Sequence, residues 1–236
     1  MTIHCTCDPE TMGQTRMQKR ARRTRERLLE GALAVFVEKG IEAATIQDIT
    51  EKADLGKGTF YRHFTTKDEV AAELIATSAS NLLGECRKAT AGKAGLREVL
   101  AALLRAHASY FSAHRQEFLV LFQGRLLPKL QRDQAAGLEK PLVDYLRDVE
   151  GMLATGTGQR TGPAKVRTAA SALSAYVAVC LSFVTIGVPF PEIETSLESL
   201  RNAHVSALMA FLTDSSTPAV VPPQAGGPSN LAGVRA

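Results

Sequence analysis

The sequence predicts an all-α protein, with a three-helix unit near the N-terminus followed by six further helices. Three observations predict it. Apolar residues recur at helical spacing along most of the chain. No stretch shows the strict alternation of a strand. Capping residues and glycines punctuate the pattern where helices should start and stop. With 236 residues, 45% hydrophobic and 22% charged, the chain carries enough apolar side chain for a sizeable core without disulfide staples.

Residues 1–19 are expected to form a disordered extension. A helix begins in the basic arm beyond it and runs to about Lys39, with Leu29, Ala32, Leu33 and Phe36 as its apolar stripe. Gly40 then supplies a left-handed cap. Thr45 and Asp48 resemble a capping box, with Asp in place of the usual Glu. The helix they open carries Ile46, Ile49 and Ala53 on one face. After Asp54-Leu55-Gly56 comes a third element of about two turns, Lys57 to Phe64, which sets Phe60 and Phe64 four apart and so on one side. Thr66 and Glu69 make a closer capping-box match and start a long helix reaching about Ala89.

Beyond Gly92 the pattern stays helical. Leu96, Leu100, Leu103, His107, Tyr110 or Phe111, and His114 form one stripe. A short helix runs from Gln116 to Leu126 and a longer one from Pro128 to Ala154. Residues 155–163 read as a loop. Two last helices follow, Ala164 to about Gly187 and Pro191 to about Leu212, with Pro163 and Pro191 suited to first helical positions. Residues 214–236 are rich in Pro, Gly and Ser and are expected to be a disordered tail.

Charge is unevenly spread. Seven basic residues and one acid lie between Arg16 and Arg27, whereas residues 71–213 hold 15 basic and 12 acidic residues. Such a run points to an anionic partner for the N-terminal end. The four cysteines, Cys5, Cys7, Cys86 and Cys180, make no disulfide framework. His4, Cys5 and Cys7 lack a second cluster, so no metal role is expected, and no cofactor either. The start of the chain lacks a long apolar region, so no secretory signal is read and a cytoplasmic location is expected. Ala169 to Phe190 has no charged residue over 22 positions. Its Ala, Ser and Thr content favours a helix buried between protein surfaces over a membrane span. Five scattered histidines assemble no nucleophile, base or metal cluster, so no enzyme is expected.

The stretch GKGTFYRHFTTKDE, Gly56 to Glu69, has the look of a phosphate-binding segment. It is not a Walker loop. The glycine needed five residues before the GK pair is Glu51, Ser or Thr is missing after the lysine, and no strand precedes. Three short helices with a tight turn before the third make a helix-turn-helix instead. Phe60 and Phe64 face inward, which leaves Lys57, Thr59, Tyr61, Arg62 and His63 for a partner. A two-turn helix of donors suits the major groove. A helical hairpin with a solvated charged face is the alternative at this level.

The segment TRERLLEGALAVFVEKGIEAATIQDITEKADLGKGTFYRHFTTKDEVAAELI, Thr24 to Ile75, resembles the DNA-binding domain of the TetR/AcrR family of bacterial transcriptional regulators. Phe36, Gly40, Thr45, Ile49, Ala53, Gly58, Tyr61, Phe64 and Lys67 carry the likeness. The resemblance implies a DNA-binding domain over 20–66 and a ligand-binding and dimerisation domain over 67–213. It implies phosphate contacts from Thr45, Tyr61, His63 and Lys67, and a recognition helix opened by Lys57, Gly58 and Thr59. Arg62 would read a base, and Arg22, Arg23 and Arg25 would form a basic arm near the adjacent groove. The family's usual Ala-Gly-Val-Ser turn here reads Ala53-Asp54-Leu55-Gly56. Asp tolerates positive φ better than most residues, and Gly in place of a capping serine costs a few tenths of a kcal/mol.

The partners implied are double-stranded DNA with a palindromic operator, a second copy of the chain, and an apolar or amphipathic small molecule. No membrane partner is expected. The dimer surface is expected on the last two helices, at Ala170, Ser174, Ala178, Ser182, Leu197, Leu200, His204, Leu208 and Phe211. Candidate ligand-lining residues are His107, Phe111, Phe118, Phe122, Tyr145, Met152, Tyr176, Cys180 and Phe183, with plain core packing as the alternative for each. Repression relieved by the ligand is the expected mode. Activation, or regulation without an effector, is the alternative.

Overall fold

The computed structural model describes residues 9–122, 139–157, 161–185 and 193–214. Among them it holds nine helices and no strand: α1 (Pro9–Ala43), α2 (Ile46–Lys52), α3 (Lys57–Phe60), α4 (Lys67–Thr90), α5 (Leu96–Ala113), α6 (Arg115–Phe122), α7 (Glu139–Thr157), α8 (Pro163–Thr185) and α9 (Ile193–Thr213). The expected all-α class holds. The expected residues 123–138 of α6, α7 and their junction, part of the 155–163 loop, the 214–236 tail beyond Asp214, and the His4-Cys5-Cys7 group lie outside the described residues.

α1 corrects the first boundary, since it starts at Pro9 rather than near residue 20. Its buried face is also rotated from the expected one. Leu28, Ala32, Val35 and Phe36 are buried, while Leu29 and Leu33 pack at the edge. Gly40 breaks the helix at φ 82° and ψ 160°, a conformation open to glycine and costly for other residues. The break turns the chain so that Ile41 and Ala44 enter the core.

Two cores result. The first gathers Leu28, Phe36, Ile41, Ile49, Phe60, Phe64, Val70 and Ile75 with neighbours from α1 to α4. Gly31 lets α2 approach α1 closely. A Cβ there would lie 3.0 Å from both Ala53 N and Ile49 O. The second core gathers α4, α5, α7, α8 and α9 around Leu82, Leu100, Leu103, Phe111, Val149 and Leu173. α4 serves both, through Val70, Ala71 and Ile75 below and Ala79, Leu82, Leu83 and Cys86 above. α6 does the same over three residues, with Phe118 in the upper core and Val120 in the lower.

The last two helices show one apolar face each to their own chain. On α8, Val166, Ala169, Ala170, Leu173 and Val177 are buried, while Arg167, Thr168, Ser171 and Ala175 are exposed. Over its described side chains α8 is therefore covered on one side within this chain. Among the described residues, no helix is long and apolar enough to cross a membrane. On α9, Val205, Leu208 and Leu212 are buried, and Leu200, Ala203, Ala207 and Ala210 face outward.

Candidate nucleic-acid interface

The bihelical corner is built from local hydrogen bonds. Thr45 caps α2 with a complete capping box. Its Oγ1 accepts from Asp48 N at 3.1 Å, and its own N–H donates to Asp48 Oδ2 at 2.9 Å. Its hydroxyl donates to the same carboxylate at 2.8 Å. The Lys39 ammonium, with these Thr45 donors, holds the Asp48 carboxyl down at about 2. Thr45 is exposed, but its hydroxyl proton is committed to the cap.

The turn that follows passes through Asp54 at φ 51°, the left-handed region that favours glycine and that Asp tolerates better than most residues. Arg27 steadies it. Its guanidinium donates to Ala53 O at 2.6 Å and Asp54 O at 3.1 Å. Nothing in the run of basic residues marks Arg27 as the one that turns inward. Its position one residue before the first buried leucine is the only hint.

α3 is shorter than expected. Regular helix ends at Phe60, and the chain continues in tight turns, with Arg62 N donating to Thr59 O and His63 N to Phe60 O. The inward face is as read: Phe60 is fully buried, Phe64 nearly so, and their rings lie 5.8 Å apart. Outward, Lys57 and Arg62 are exposed and Tyr61 is 59% exposed. Thr59 and His63 differ in setting, Thr59 half-buried at the helix and His63 half-buried at the turn. A Cβ added at Gly58 would meet nothing within 4 Å, so the backbone there is open to approach. Lys57 Nζ reaches Gln47 Oε1 at 3.4 Å, which brings the exposed Gln47 of α2 into the same surface.

Two of the expected DNA contacts have internal work. Arg25 is not a free arm residue. It pairs through Nε and Nη2 with Glu73 on α4, donates Nη1 to His63 O at 2.7 Å, and stacks 4.1 Å over the Phe64 ring. Lys67 donates to Glu42 O and Ala44 O, both at 2.7 Å. It thereby ties the start of α4 to the end of α1, with one of its three N–H donors left over. Thr66 caps α4 by accepting from Glu69 N, but Glu69 reaches back to Thr65 N rather than to the cap. Arg22 and Arg23 are exposed, and Arg22 pairs with Glu26 at 3.4 Å.

The expected ligand residues mostly pack. His107 is fully buried and satisfied. Nδ1 lies 2.7 Å from Leu103 O and 3.6 Å from Cys86 Sγ, and Nε2 lies 2.5 Å from the Tyr145 hydroxyl. Tyr145 Oη is in turn 3.4 Å from Ser174 Oγ, which donates to Ala170 O. Burial pushes the His107 imidazole down to about 4, the Cys86 thiol up to about 12, and the Tyr145 phenol upward. Phe111 and Phe118 stack edge-on in the same core. Met152 is half-buried with its Sδ 3.9 Å from the Thr90 hydroxyl, and Tyr176 stacks on His204 at 4.4 Å. The side chains of Phe122, Cys180, Ser182 and Phe183 lie outside the described residues.

Two grooves flank α4. One of about 620 Å³ lies between α4 and α7, with Ala72, Ala76, Ala79, Leu83, Pro141 and Tyr145 in its wall beside the charged Glu69, Glu73, Arg87, Lys140, Asp144 and Asp148. The other, about 990 Å³, runs between α4 and α5 and is lined by small and polar residues. Of the described ligand candidates, Tyr145 alone reaches either groove.

The expected dimer residues divide. Ala170 and Leu208 are buried in their own core, a correction that follows from the rotation of each helix face. Ser174 hydrogen-bonds within the chain, and Phe211 packs on the core beneath Lys165. Ala178, Leu197 and His204 are half-buried, and Leu200 is 52% exposed.

The family model described as bacterial regulatory proteins, tetR family, matches residues 28–74. The HTH-type transcriptional regulator TcmR of Streptomyces glaucescens is 31% identical over 150 residues, 61% of this chain and 63% of that protein. The HTH-type transcriptional repressor KstR2 of Mycobacterium tuberculosis is 30% identical over 125 residues, 52% of this chain and 58% of that one. The chain thus spans less than two thirds of the length of these curated relatives. Among solved structures, FadR from Bacillus subtilis, in complex with stearoyl-CoA, aligns over 80% of this chain and 97% of its own. The TM-score is 0.61 at 17% identity, a likeness of fold.

Proposed function

We propose that this chain, which belongs to the tetR family of bacterial regulatory proteins, is a transcriptional repressor. In this reading it binds a palindromic operator as a dimer and is released when a small molecule enters its C-terminal domain. The observation that carries the reading is the outward face of α3. Lys57 on the helix, with Tyr61 and Arg62 on the turns that continue it, stand exposed on a segment whose other side is anchored by Phe60 and Phe64. Anchored from behind, the helix presents its donors with little freedom to lose on binding. Arg62 reads a base, Tyr61 and the remaining Lys67 donor contact phosphate, and Gln47 joins them from α2. Phosphate contacts set register and base contacts set preference.

One short recognition helix reads few bases, so a two-fold dimer is needed. Among the outward residues of α8 and α9, Ser171 and Ala175 with Leu200, Ala203, Ala207 and Ala210 are small or apolar. They allow close helix packing and replace Ala170 and Leu208 as the dimer face. The effector enters between α4 and α7, where Tyr145 comes to the wall. Because α4 belongs to both cores, shifting it in the upper core alters the spacing of the two recognition helices. The effector must favour the non-DNA state by the affinity it removes, typically ~1–3 kcal/mol.

Fluorescence anisotropy on a duplex selected from a random pool tests the reading. A palindromic selected site is expected, and Arg62→Ala should lose ~1–3 kcal/mol on it while leaving random DNA unchanged. Equal loss on both duplexes would remove Arg62 from base reading. A monomer in sedimentation at micromolar concentration would refute the dimer.

A further inference from the structure

We infer that the N-terminal half of α1 is a helical clamp for the DNA backbone flanking the operator half-site, with Arg16, Lys19, Arg20 and Arg23 as its phosphate contacts. The inference rests on the DNA-binding reading above. Every residue from Arg16 to Arg23 is exposed, and among the described side chains of α1 the first buried one is Leu28. This part of the helix therefore has no core of its own. Four cations, Arg16, Lys19, Arg20 and Arg23, fall at helical spacing on one side, and none has an acidic partner among the described residues. Like charges at i,i+4, as in Arg16–Arg20 and Lys19–Arg23, each destabilise a helix by ~0.2–0.5 kcal/mol. An unpacked, self-repelling helix is stabilised by a polyanion laid along it.

The placement fits. Two residues beyond Arg23, Arg25 donates to His63 O at the end of the recognition segment, and Arg27 to Ala53 O and Asp54 O in the turn before it. α1 therefore crosses directly behind the reading surface, and its free half leaves beside it. From Arg25 back to Arg16 the helix rises ~14 Å, the axial span of about four phosphates on one strand. A helix ~10–12 Å thick with its side chains does not enter a minor groove ~6 Å wide. The rod therefore lies against the backbone and adds affinity without reading sequence.

The test uses the full chain on two duplexes, one ending at the selected operator and one extended by flanking sequence on both sides. Wild type should bind the extended duplex more tightly. The triple variant Arg16→Gln/Lys19→Gln/Arg20→Gln should bind both equally, with the slope of log K against log salt shallower by about 0.9 per lost contact. Ala21→Pro keeps every charge but breaks the rod, and should lose the same flank preference. An unchanged slope and flank preference in the triple variant would overturn the clamp. Full flank preference in Ala21→Pro would overturn its helical form. Wild type that binds no duplex at all would overturn the regulator reading, and the clamp with it.

Discussion

The two cores of this molecule are built on different rules. The lower one, behind the recognition helix, is apolar throughout. Its buried polar neighbour Thr50 spends its hydroxyl on Gln47 O at 3.0 Å. The upper one is threaded by Cys86, His107, Tyr145 and Ser174, one side chain each from α4, α5, α7 and α8, linked end to end. An apolar jigsaw has one good packing and no group that titrates. A buried polar thread is stable only while every member stays satisfied, so a proton or a polar ligand group that takes one link disturbs four helices. The half proposed to read DNA has the stiff core, and the half proposed to respond has the exchangeable one.

The largest effect should come from breaking the stiff core. Phe60→Ala removes a fully buried ring and is expected to cost ~3–5 kcal/mol in urea unfolding, with operator binding lost. A cost below ~1 kcal/mol would mean the lower core is not the rigid element.

Next in size is the pH response of the upper core. His107 in the fold sits at about 4, below its ordinary 6.5, so the unfolded chain takes up the proton first as pH falls. Stability is complete above about 6.5 and is lost between there and about 4, by about 3 kcal/mol. His107→Gln should flatten that slope in thermal melts between pH 7 and 4. A wild-type slope that persists in the variant would assign it elsewhere.

Gly31→Ala should follow, because its Cβ would meet the α2 backbone at 3.0 Å. We expect ~1–3 kcal/mol of destabilisation and a shifted α2, visible as weakened operator binding at temperatures where the chain is still folded. Asp54→Gly should do least. It relieves the left-handed backbone but gives up the Arg27 contact at 3.3 Å, and chemical denaturation should show a change within ~0.5 kcal/mol.

The lower domain was the more legible half, for a physical reason. Gly40, the Thr45–Asp48 box and the Phe60/Phe64 pair are local signals, each decided by a few neighbouring residues, and all three appear where spacing put them. Asp54 was readable as a left-handed residue because it stands where Gly is usual. What local signals did not reveal was internal pairing. Arg25 and Lys67 carry charges that suit phosphate, and both also hold the fold together, through Glu73 and through backbone carbonyls contributed from far along the chain. Ala170 and Leu208 lie on faces whose rotation is set by α5 and α7, so their own helices do not reveal it. His107 illustrates the same limit. A histidine on an apolar stripe has two readings until Tyr145, 38 residues away, is seen to satisfy it.

Phe118 and Val120 stand two residues apart on α6 and sink into different cores. A stitch that short leaves no slack between the halves. Melting either one pulls a buried side chain out of the other, so calorimetry of the whole chain should record a single endotherm rather than two, and a truncation ending before Arg115 should leave the lower half with an open seam where Val120 had been.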